Sequence, residues 1–207
     1  MDRARIALEH FARIAPPYLE PFKRNTCIEQ TRILLECLKR VGVPGRPEAV
    51  RLVVQCEALK LVFVSGSTAK ERERARRKGI DITELDLNGK PIAPCGQDTD
   101  QNRVGHVVAV INGRYLADPT LSQASMPDHG LTIEREIVFV GPFTQQLRTN
   151  SEVAATFSLN SGQVIDVRWA LTGRWDFRKT AAWEPSHLWP IIDEISAQMK
   201  EALLCRA

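Results

Sequence analysis

Apolar residues fall at helical spacing near both ends of this chain and in β-branched runs between them. In residues 4–14, Ala7, Leu8, Phe11 and Ile14 share one helical face, and Pro16-Pro17 ends the run, with a loop expected as far as Arg24. The next helix is the best specified. Thr26 and Glu29 stand at the S/T-x-x-E spacing of a capping box, which makes Thr26 the N-cap and Cys27 the first helical residue. Ile28, Thr31, Leu34, Leu35, Leu38 and Val41 then line one buried side, and Gly42 and Pro44 supply the left-handed cap and the stop.

Ala49 to Gln55 and Leu59 to Val64 read as strands, followed by a charged helix at 68–78 and a stretch from Asp81 to Asn102 with little periodicity. Strand signals resume at Val104 to Ile111 and Arg114 to Asp118, which Asn112-Gly113 marks as a hairpin. Ile133 to Val140, Val153 to Leu159 and Val164 to Leu171 continue the pattern, the last two joined by Asn160-Ser161-Gly162. Pro190 opens a final helix with Ile192, Ile195, Met199 and Leu203 on its apolar face. Helices first and antiparallel strands afterwards predict an α+β fold. Its N-terminal helices, one bearing Cys27, pack on an antiparallel sheet, and residues 1–207 form one domain closed by a C-terminal helix.

Composition narrows the function classes. The hydrophobic fraction of 43% and charged fraction of 26%, without any low-complexity tract, describe a globular chain. A net charge of +3 is small for 207 residues, and the one basic cluster, Lys70 to Lys78, mixes in two acids and no aromatic ring. That composition suits a solvated helix face, so a nucleic-acid partner is not expected. The five cysteines are scattered and odd in number, which points to a reducing, cytoplasmic setting and not to a disulfide framework. Charged residues break every apolar run at the N-terminus, and no stretch of about 18 apolar residues occurs, so neither a signal peptide nor a membrane span is expected. His106, Asp118, Asp128, His129 and Cys95 are metal-ligand types, but no C-x-x-C or H-E-x-x-H spacing links them, and no glycine-rich phosphate loop occurs. Neither a metal nor a cofactor is expected. Trp169, Trp175, Trp183 and Trp189 read as packing of the C-terminal region.

The chemistry concentrates on three residues. A cysteine at the first position of a helix sits among unpaired backbone N–H groups at the positive end of the dipole, which favour thiolate and can hold an oxyanion. Gly105-His106-Val107-Val108-Ala109-Val110 puts a histidine in an otherwise apolar strand, and the hairpin returns Asp118 towards it. His106 is then placed to take the thiol proton and Asp118 to orient the imidazole. The hairpin register tests this. A two-residue Asn112-Gly113 loop would set His106 opposite Pro119 and turn Asp118 to the other face; a three-residue loop with Gly113 in a left-handed bulge sets His106 opposite Asp118. The bulged form, or a ladder break of the same effect, is therefore expected.

The capped cysteine helix ending in Gly42-Val43-Pro44, the strand after it, Gly105-His106, and Leu116-Ala117-Asp118-Pro119-Thr120 together resemble the transglutaminase-like branch of the papain-type cysteine enzymes. The likeness spans about residues 25–120. It implies a Cys-His-Asp triad with Cys27 as nucleophile, His106 as general base and acid and Asp118 as its orienter. The expected activity is cysteine-dependent hydrolysis or acyl transfer on a peptide, amide or acyl-group substrate through a thioester. The alternative is a catalytically silent member of the same fold, acting as a binding or interaction module.

Overall fold

The structure, a computed structural model, describes residues 2–20, 26–65, 77, 106–134, 137–172, 177–179, 181–184 and 186–205. The charged helix expected at 68–78 (apart from Arg77), the stretch 81–102, Cys95, Gly105 and Trp175 lie outside the described residues. Four helices are described: α1 (Arg3–Ile14), α2 (Pro16–Leu19), α3 (Cys27–Arg40) and α4 (Trp189–Leu204). With them are strands β1 (Gly45–Cys56), β2 (Leu61–Ser65), β3 (His106–Ile111), β4 (Tyr115–Asp118), β5 (Val138–Val140), β6 (Glu152–Ser158) and β7 (Val164–Leu171). The class is α+β, as the order of patterns predicts.

All strand pairs are antiparallel, in the order β5-β4-β3-β1-β7-β6, with β2 also on β1. The hub is β1. Its residues Gly45 to Val50 pair with β3, Val50 to Gln55 with β7, and Leu52 to Cys56 with β2. One face of the sheet carries Ala109, Ile111, Tyr115 and Ala117 into a core shared with α1, α3 and α4. The other carries Val50, Leu52, Val108, Val110, Leu116, Val167 and Trp169 into a second core closed by Leu121, Met126 and Leu131.

The turn between α3 and β1 sets how the two lie together. Gly42 takes φ +76°, its N–H bonds Lys39 O at 3.0 Å, and Val43 N–H bonds Leu38 O at 2.9 Å, a Schellman end that reverses the chain in three residues. The strand then begins at Gly45, four residues before the β-branched run that predicts it. Glycine is what permits this, since a Cβ there would lie 2.6 Å from Ile111 Cδ1 and 2.7 Å from Leu35 Cδ2. Local propensity disfavours Gly45 and Pro47 in a strand; contact with α3 and pairing with β3 override it.

Other differences have equally local causes. Pro16 and Pro17 open the short helix α2 where a loop is expected, because prolines suit a first turn as well as they end a preceding helix. Among the described residues of the strand expected over Ile133 to Val140, Val138 to Val140 pair with β4, and Ile133 N–H donates to Ser125 Oγ at 2.9 Å. No helix among the described residues is long and apolar enough to cross a membrane.

Gly45→Val should cost about 1–3 kcal/mol, the usual range for overpacking, because both side chains it meets are themselves buried. Urea unfolding measures this; an unchanged midpoint would show that the α3–β1 approach tolerates side-chain atoms.

Candidate active site

Asp118 ends β4 with no solvent exposure, so each carboxylate oxygen must find its donors within the protein. Oδ1 accepts Thr120 N–H at 2.9 Å and the Thr120 hydroxyl at 3.3 Å, a turn that explains the Asp-Pro-Thr sequence. Oδ2 accepts from His106 Nε2 at 2.8 Å and from Trp169 Nε1 at 2.9 Å. A carboxylate only accepts, so the His106 proton resides on Nε2 and Nδ1 is the nitrogen left for a second partner. Cys27 is close enough to His106 to help raise its pKa.

The hairpin reaches this arrangement by a register other than the expected one. Asn112 and Gly113 both take positive φ, 51° and 68°, but Arg114 stands outside the ladder, so Ile111 faces Tyr115 and Ala109 faces Ala117. Extending that ladder puts Asp118 across from Val108, with His106 two residues beyond. Because the shift from the expected register is an even number of residues, both side chains stay on one face and meet diagonally.

Trp169 reaches Asp118 from β7, three strands away through β1 and β3. In a flat sheet that separation is roughly 14 Å. The 2.9 Å hydrogen bond therefore requires a strongly curled sheet, with β7 and β4 facing each other across the inner core.

Cys27 is the first residue of α3, as expected, with Thr26 at the N-cap. The capping box does not form. Thr26 has φ −104° and ψ 26° instead of the extended backbone of a side-chain cap, and its hydroxyl accepts the buried Gln30 amide at 2.9 Å and Gln123 Nε2 at 3.5 Å. The Glu29 carboxyl bonds its own backbone N–H, and burial raises its pKa. Cys27 belongs to a small buried cluster with Ile28, Ala49, Val107 and Phe177. Cys27, His106 and Asp118 are 8%, 5% and 0% exposed, so the constellation is closed to solvent.

Burial alone would push the His106 pKa down, but the charge and hydrogen bond of Asp118, together with Cys27, outweigh it and hold it up at about 10. Burial likewise opposes ionisation of Asp118, yet His106, Trp169 and Thr120 keep its pKa below the ordinary carboxylate value. The stable state of the pair at neutral pH is imidazolium and carboxylate.

No protein-family model, curated protein or solved structure matches this chain. The likeness to transglutaminase-like enzymes rests on the sequence motif alone.

Of the three expected residues, His106 and Asp118 meet in a 2.8 Å hydrogen bond, and Cys27 lies near enough to His106 to affect its pKa. Asp128 and His129 stand apart on an exposed turn at Pro127–His129, and among the described residues no group of three or more His, Cys, Asp or Glu could hold a metal. Sequence reasoning assigned Trp169 to packing and missed its hydrogen bond, although the alternation of β7 places it inward with Ile165, Val167 and Leu171. Phe177, beside the sulfur on a short 3-10 turn, has no periodic signal that could have marked it.

The pKa shifts fix a stability window. His106, raised from 6.5 to about 10, stabilises the fold fully below pH 6.5, and that contribution is lost as pH rises to about 10; Asp118, lowered from 3.8, contributes above that value and loses its part as pH falls through the lowered one. The stability gap between wild type and His106→Gln should therefore narrow from pH 6.5 to about 10. Melting curves across that range test it, and a gap independent of pH would show that His106 does not carry the proton in the folded state.

Proposed function

We propose that this chain is a cysteine-dependent hydrolase or acyltransferase of the transglutaminase-like kind, acting on an amide, peptide or acyl substrate through a thioester at Cys27. The observation that carries this reading is the buried His106–Asp118 pair, bonded at 2.8 Å, with the Cys27 thiol at the start of α3 acting on His106. A purely structural buried histidine needs hydrogen-bond partners, but it does not need a thiol at a helix N-terminus near it.

Each residue has a distinct task. The sulfur of Cys27 attacks the carbonyl carbon as the carbonyl electron pair moves to oxygen, and the thiol proton resides on His106. The Cys27 N–H, which has no acceptor inside the helix, is one donor for the oxyanion. Collapse expels the leaving group, which takes the His106 proton, and leaves the thioester. Water or an acceptor then attacks, passing its proton to His106, and the sulfur departs. Throughout, Asp118 holds the tautomer and carries the countercharge, while Trp169 and Thr120 hold Asp118 in place.

The closure of the site is the observation that favours the alternative, a silent scaffold used for binding. Thiol reactivity separates the two. Cys37 is an internal control, since burial pushes its pKa up to about 12, and the exposed Cys205 is best replaced by Ser beforehand. In that background iodoacetamide should label Cys27 ahead of Cys37 near neutral pH, and His106→Ala should slow the labelling of Cys27 markedly. Cys27→Ala should abolish any acyl transfer while the fold persists. Asp118→Asn should lower the rate on the order of 10² to 10⁴ by leaving the imidazole in the wrong tautomer. Labelling of Cys27 that does not depend on His106 would defeat the enzyme reading.

A further inference from the structure

The sulfur of Cys27 has two neighbourhoods. On one side is His106. On the other is hydrocarbon: Cys27 shares a buried cluster with Ile28, Ala49, Val107 and Phe177, none with a polar side-chain atom, and Ala182 and Trp183 pack against that cluster. Phe177 comes from a strap of three short 3-10 turns, Phe177–Lys179, Ala181–Trp183 and Ser186–Leu188. Its ring meets Trp183 edge-on at 5.2 Å between centroids, and the Arg32 guanidinium lies 4.8 Å over Trp183. Arg32 is braced in turn by Glu36 at 2.9 Å, so the position of Phe177 is set from the helix that carries Cys27.

We propose that Phe177 is a specificity-determining residue, the wall of an apolar pocket at Cys27 that restricts the acyl group to a short, uncharged one. The proposal rests on the thiol acyl-transfer reading above and adds the substrate class. An acyl group bonded to the sulfur, with its carbonyl oxygen at the helix N-terminus and its leaving group on the His106 side, has its carbon chain directed among these four side chains. A carboxylate or ammonium there would be desolvated with no partner. A long chain would collide with the Phe177 ring, which is 3% exposed and held from behind by Trp183.

p-Nitrophenyl esters of increasing chain length test this. The Cys27 sulfur, its proton already held on His106, forms a bond to the ester carbonyl carbon, and the carbon–oxygen bond breaks as the leaving oxygen takes that proton and departs as p-nitrophenol, which ionises in the buffer. Water attacks the thioester next, gives its proton to His106, and frees the acid and the sulfur. Wild type should prefer acetate to hexanoate by on the order of tenfold or more in kcat/KM, since even one methylene against a fixed wall is worth about that much. Phe177→Ala should shift the hexanoate-to-acetate ratio upward by about tenfold. Phe177→Leu should fall between, and it carries the comparison if the alanine variant melts below the assay temperature. Ratios in both variants equal to that of wild type, with release still dependent on Cys27, would overturn the pocket and leave the triad standing. Release no faster from wild type than from Cys27→Ala would instead remove the acyl-transfer reading, and the pocket with it.

Discussion

A carboxylate with no exposure to water is the constraint from which much of this structure follows. Desolvating Asp118 would neutralise it or unfold its surroundings unless donors replaced the lost water, and four do so: two from Thr120, one from His106 and one from Trp169. Thr120 costs the fold little, being two residues away in a tight turn. Trp169 is different, because its donor arrives from the far side of the sheet and can be present only if β7 curls over to face β4. The curvature that encloses the second core and the satisfaction of one buried charge are thus the same requirement. Removing Asp118 would leave a buried imidazolium and a buried indole N–H without an acceptor, a loss of about 3–5 kcal/mol.

The placement of the sulfur depends on a second constraint, a match of lengths. The 14 residues of α3 rise about 20 Å along the helix, and the chain then reverses at Gly42 and runs back as β1. From Gly45 to Val50 an extended strand covers about 16 Å. The two ends therefore come level, with Cys27 packed on Ala49 and Val50 paired with His106. A longer turn, or a strand that began at Ala49, would lose this coincidence. Gly45 matters because it lets β1 start at once and close against the helix, so the glycine end of the helix and the position of Cys27 at its opposite end are linked through β1.

This accounts for what the residues reveal on their own and what they conceal. The start of α3, its buried face, its glycine end and the Val164–Leu171 strand follow from local pattern, because in each the residue preference and the tertiary environment agree. His106 and Asp118 can be paired in advance for a subtler reason. Side chains in a strand alternate with period two, so only the parity of the hairpin matters for which face they share, and an even slip through Arg114 preserves it. The Trp169 bond was not legible, since it joins strands that no local signal places face to face. Thr26 and Glu29 fit the capping-box spacing, yet Gln30 and Gln123 take the hydroxyl, and a spacing rule contains no such competitor.

The strap over the sulfur is bound differently from everything beneath it. His106 and Asp118 hang from strands joined by ladder hydrogen bonds, whereas Phe177, a member of the buried cluster that includes Cys27, meets Trp183 ring to edge, and the Arg32 guanidinium lies over Trp183. A partly buried cation–π contact contributes about 0.5–2 kcal/mol and an aromatic pair about 0.5–1.5 kcal/mol, each below the cost of breaking the Asp118 network. The aromatic strap and the hydrogen-bonded pair thus meet through the apolar cluster that Phe177 shares with Cys27, Ala49 and Val107, and Ala49 and Val107 also stand opposite each other in the β1–β3 ladder.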